Sequence, residues 1–131
     1  MIERPSQRWQ RRVADQEAAV AAGTLPRDQA YAAELWPADA TAAIDVTLAA
    51  YEQEIESQPT VPDEAAWAAV ERVVLALNAI DEEAAVIETG EREEICEYLD
   101  AVLTAAGVDV TALTARRNLD RGELTDAWRD W

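Results

Sequence analysis

The apolar residues of this chain recur at the spacing of one helix face, and they show no sustained strand alternation. Ile44, Leu48, Tyr51 and Ile55 follow one another at four, three and four residues. Trp67, Val70, Val74 and Leu77 repeat the pattern, as do Ile95, Leu99, Val102 and Ala106. A face repeated this way must bury itself against other helices. The β-branched pairs Val73–Val74 and Val86–Ile87 lie inside or beside helical runs, so they do not argue for strands. Alanine, the best helix former, occurs 28 times and raises the helical background throughout. The expectation is an all-α single domain over residues 1–131, an irregular bundle of five to six helices.

Local signals place the boundaries. Ser6 reads as an N-cap and Gly23 as the stop of a first helix carrying Trp9, Val13 and Val20. A second helix is expected from Pro26 to just before Pro37, with Tyr31 and Leu35 inward. A third follows Pro37 with Asp39 as cap, and residues 57–62 form a linker between the two halves of the fold. The fourth helix starts from Thr60 or Asp63 and ends either near Ile80 or near Ile87. Thr89-Gly90 is expected to cap a fifth helix that runs to Ala106 and stops at Gly107. A helical turn after Asp109 turns Leu113 inward. Asp120 and Glu123 have capping-box spacing, with Leu119 and Leu124 at staple positions. A short amphipathic helix over 120–131 is therefore expected to dock on the body through Leu124, Trp128 and Trp131.

Composition removes several chemistries. Histidine and lysine are absent, and all 11 basic residues are arginine. There is no imidazole base or ligand and no lysine for a Schiff base or a phosphate loop. None of the four glycines sits in a nucleotide-loop setting. No catalytic, cofactor or metal site is expected, and the protein is read as not an enzyme. The single cysteine, Cys96, excludes an intrachain disulfide and fits a reducing cytoplasm. No apolar run reaches the length of a membrane span, and Met1 to Arg12 has no hydrophobic stretch resembling a secretory signal.

Charge is the outlying property. The net charge is −16, and it is unevenly spread: +3 over residues 1–12, −13 over residues 51–100, and zero over residues 111–131. A field of this sign repels nucleic acid and anionic membranes and attracts basic proteins. The arginines near both ends are expected to satisfy acids within the molecule or in a homodimer. Glu93, Glu97 and Asp100 form a stripe almost opposite the apolar face of the fifth helix, with Asp81, Glu82 and Glu83 close by in sequence. These six, with Trp36 or Tyr98 as an exposed anchor, are the candidate partner-binding residues. The expected function is a non-catalytic protein that binds and masks a basic partner protein, in the manner of an immunity protein, antitoxin or nucleic-acid mimic. The alternative is a small accessory or structural subunit, homodimeric, whose charge serves solubility.

Overall fold

Proline at the first helical position starts α1 (Pro5–Ala21), because its fixed φ suits the first turn and its missing N–H has no partner to lose there. That choice moves the N-cap to Arg4. Ser6, expected as the cap, instead lies buried inside the first turn and donates its hydroxyl to Asp45 Oδ1 at 2.7 Å. Gln7 turns back to accept the Arg4 N–H at 3.0 Å. Gly23 ends the helix as expected. Its φ of +77° lets the Thr24 N–H return to the Ala19 carbonyl.

The computed structural model describes residues 2–131; Met1, the first residue of the stretch read for a leader, lies outside it. Five helices follow α1: α2 (Ala32–Leu35), α3 (Ala38–Glu56), α4 (Asp63–Ala84), α5 (Thr89–Ala105) and α6 (Val110–Ala115). Single 3-10 turns occur at Arg27–Gln29 and Arg121–Glu123, and no strand is present among the described residues. The fold is an all-α bundle. The α3–α4 hairpin folds about the 57–62 linker, α1 packs on α3 and α5, and α5 closes against α3 and α6. No helix among the described residues is long and apolar enough to cross a membrane.

The three core stripes are buried as the periodicity requires. Ile44, Leu48, Ile55, Val70, Val74, Leu77, Ile95 and Leu99 are fully enclosed, with Trp67 and Tyr51 beside them. Both proline-preceded starts use the proline as N-cap, Pro37 for α3 and Pro62 for α4. The expected caps Asp39 and Asp63 fall in the first turns, where a carboxylate opposes the helix dipole.

Three segments depart from expectation. Between Pro26 and Pro37 the chain forms a 3-10 turn and the four residues of α2, not one helix. Tyr31 and Leu35, expected inward, are about half exposed; Ala32 and Trp36 are buried in their place. The larger ring decides this: Trp36 stacks on Trp9, centroids 6.0 Å apart and planes 10° apart, while Gln16 of α1 accepts the Ala32 N–H at 2.9 Å.

The end of α4 falls between the two expected positions. Ala85 takes a left-handed conformation, φ 52°. Asp81 Oδ1 then accepts the N–H groups of Val86 and Ile87, each at 2.8 Å, as both side chains turn into the core. The start of α5 is capped by Glu88, with Glu91 accepting its N–H at 3.0 Å. Thr89 and Gly90 are therefore the first helical residues and not the cap.

Beyond α6, which Asp109 caps and Leu113 anchors as expected, the terminal segment is not a helix. Glu123 does return to the Asp120 N–H, at 3.3 Å. The chain then continues through turns to Trp128 and ends without regular secondary structure. Leu124, Thr125 and Trp131 are nonetheless buried. Asn78 of α4 supplies the reason. Its amide donates to the Trp128 carbonyl at 2.7 Å and accepts the Asp130 N–H at 3.0 Å. Backbone groups satisfied this way need no further helical turn, and a turn or two of isolated helix has little stability of its own.

Candidate functional site: an acidic groove beside the fifth helix

The docked terminal segment does not lie flush on α5. It leaves a groove of about 540 Å³, walled on one side by Glu93, Cys96, Glu97, Asp100 and Ala101, and on the other by Arg121, Gly122, Leu124 and Thr125. The α5 wall follows from helix geometry, since Glu93, Glu97 and Ala101 stand four residues apart and Cys96 and Asp100 complete the face. The opposite wall exists because Leu124 and Thr125 are pulled into the core while the 3-10 turn before them stays outside.

The three carboxylates of the expected stripe have different roles. Glu93 and Glu97 are exposed, one helical turn apart, and neither has an arginine or hydrogen-bond partner among the described residues. Asp100 is half-buried and clamped by Arg121, with Nε on Oδ2 at 2.7 Å and Nη2 on Oδ1 at 2.6 Å. The Thr104 hydroxyl also donates to Asp100, at 3.1 Å. Such a fork-to-carboxylate geometry gives two parallel, charge-assisted bonds. Asp100 therefore pins the terminal segment to α5.

Cys96 lines the same groove with its sulfur 3.6 Å from the Thr125 hydroxyl. Burial pushes its thiol up, and the Thr125 bond only partly offsets this. The thiol is thus less nucleophilic than an exposed one at neutral pH. Ala101 and Leu124 add apolar carbon to the two walls. A trough with a largely apolar lining and two free carboxylates on one wall suits a side chain with an aliphatic stem and a cationic tip, that is, arginine or lysine.

The other candidate residues are elsewhere. Asp81 is occupied in holding the α4–α5 turn. Asp81 and Glu82 both border a separate groove of about 320 Å³ with Asn78, Asp130 and Trp131, and Glu83 is exposed on its own. Trp36 is buried, so it is not the exposed anchor expected of it. The Trp36 indole N–H points to Glu91 at 3.4 Å. Tyr98 is buried too, donating to Glu52 at 2.7 Å.

Most of the terminal arginines satisfy acids inside the molecule, while Arg12 lies against the Trp36 ring instead. Arg8 and Arg11 share Glu3, Arg116 clamps Asp63, and Arg129 holds Asp126. Arg117 lies 4.2 Å over the Trp67 ring.

One polar cluster was not anticipated. Glu52 is buried and meets both the Tyr98 hydroxyl and Arg4, while Arg4 and Ser6 hold Asp45 at 2.8 and 2.7 Å. Burial alone would raise the Asp45 carboxyl; Arg4 and Ser6 together outweigh it and hold the group below its ordinary range. Burial, then the Glu52 bond, pushes the Tyr98 phenol up. A signal for Glu52 was present in the spacing, since it stands four residues after Leu48 and three before Ile55, on the buried side of α3. No family model, curated protein or solved structure matches the chain.

Proposed function

We propose that the protein is a non-catalytic interaction protein that receives a basic segment of a partner protein in the groove beside α5 and thereby masks it. The observation that carries this reading is the pair Glu93 and Glu97. They stand without partners on one wall of a groove with a largely apolar lining, on a body of net charge −16. A field of this size draws in a basic partner from a distance, and the groove offers a place where one or two of its cationic side chains lose water. Asp100 is excluded from the binding role because Arg121 already occupies it.

Capture from the native lysate at low salt, with release at high salt, supplies the partner for the test. Association is then followed by stopped flow for the parent and for Glu93→Gln with Glu97→Gln. The double variant keeps the fold, because it removes only outward charge. It is expected to slow association at least about tenfold at low salt and much less at 0.5 M NaCl. An acidic partner, or one that binds the double variant as fast as the parent, refutes the reading.

A further inference from the structure

On a chain this acidic, the outward side of α3 and α4 stands out for being nearly free of charge. Residues 40–53 contain two charged side chains, Asp45 and Glu52, and both turn inward to Arg4. Residues 65–80 contain Glu71 and Arg72, and Arg72 reaches across to pair with Glu54 of α3. Glu71 stands exposed at one edge, so the face carries a net charge of about −1, and the rest of what faces water is mainly apolar. Val46 is 69% exposed and Leu75 49% exposed, with Ala42, Ala43, Ala50, Ala68 and Ala79 open around them. A groove of about 210 Å³ runs between the helices, its lining mainly apolar (Val46, Ala50, Val73 and Ala76 among others) with the Arg72–Glu54 pair on it.

We propose that a second copy of this chain docks on the α3–α4 face. Two bodies of charge −16 repel each other in most orientations, since contact would set unpaired carboxylates against carboxylates. This face lets them meet with little charge on either side. A basic partner is steered instead to the acidic surfaces. The Arg72–Glu54 pair is closed within each copy, so it adds no net charge to a two-fold interface that presents the same patch from both sides.

The size fits a weak dimer. At 1.5 Å rise per residue, the stretches 42–50 and 68–79, the second carrying Glu71 and Arg72, are about 12 and 17 Å long, and two adjacent helices are about 20 Å wide. The face is then about 300 Å², under half of the usual 800 Å² or so per partner, so the polar ends of α3 and α4 must join it as rim and the dimer is weak.

The test is sedimentation equilibrium of the intact chain from 10 to 300 µM, in 20 mM and in 0.5 M NaCl. A dimer is expected that tightens as salt rises, because screening relieves the repulsion between the copies. This salt response is opposite in sign to that expected for a basic partner, so either proposal can fail without the other. Val46→Glu with Leu75→Glu places four carboxylates in the dimer centre and is expected to weaken association by at least about 30-fold, equivalent to about 2 kcal/mol. Both positions are exposed, so circular dichroism should be unchanged. Ala33→Glu, exposed on α2 and outside this face, should dimerise like the parent. A chain that stays monomeric at 300 µM in 0.5 M NaCl overturns the proposal and leaves the face to a different partner. A dimer that loosens with salt, or one that the double variant forms as well as the parent, overturns it equally.

Discussion

Asp81 was grouped with the surface acids by its neighbours in sequence, yet its carboxylate closes the α4–α5 turn. Replacing it separates the two roles. Asp81→Ala removes two charge-assisted bonds, from Val86 and Ile87, each 2.8 Å long. Bonds of this kind contribute about 1.5–3 kcal/mol each, and the half-exposed position favours the low end because water can replace part of the interaction. Both bonds end on one oxygen, Oδ1, and do not add in full, so the expected loss is about 2–3 kcal/mol. Unfolding entropy near 2.1 cal/mol/K per residue makes each kcal/mol worth about 4 °C for a chain of this length, so the midpoint should fall by about 7–11 °C. Asp81→Asn keeps an acceptor oxygen and should lose about half as much. Glu82→Gln and Glu83→Gln, which touch nothing in the turn, should stay within about 2 °C of the parent. Differential scanning calorimetry at pH 7 reads all four. An Asp81→Ala midpoint within 2 °C of the parent would show that the turn holds without the carboxylate and that the geometric argument fails.

Two further outcomes are expected. Deleting residues 119–131 removes the buried Leu124, Thr125 and Trp131 and exposes the α4 and α5 surfaces beneath. Urea unfolding should show a loss of about 3–5 kcal/mol, and an unchanged midpoint would mean that the segment is not docked in solution. The second outcome concerns pH. Asp45 is held below the ordinary carboxylate range, so the folded chain takes up its proton less readily than the unfolded chain. Its contribution is complete above about pH 4 and is lost as the pH falls through the depressed folded value. Asp45→Asn should be less stable than the parent at pH 6, with the gap narrowing between pH 4 and pH 2. Stability curves that run parallel down to pH 2 would show that Asp45 titrates alike in both states.

The long elements were legible because their periodicity averages over several turns. In α3, α4 and α5 each core position is supported by others three and four residues away, and no single context effect can rotate the face. The stops at Gly23 and Gly107, the cap at Asp109 and the return of Glu123 to Asp120 are equally local. They depend on backbone geometry within a few residues of the signal. The stripe of Glu93, Glu97 and Asp100 was legible for the same reason, being a property of one helix.

What the tertiary structure decided lies where partners are distant in sequence or the segment is short. Tyr31 and Leu35 lost the inward positions because Trp36 found Trp9, 27 residues earlier, to stack on. The terminal segment abandoned its helix because Asn78, about 50 residues away, satisfies its backbone. Asp100 was separated from Glu93 and Glu97 by Arg121, and Asp81 from Glu82 and Glu83 by the turn it closes. A charge pattern records which acids lie on one face of a helix. Whether each carboxylate is already engaged depends on the side chains that other elements bring to it, and that was settled only when α5, the α4–α5 turn and the terminal segment packed together.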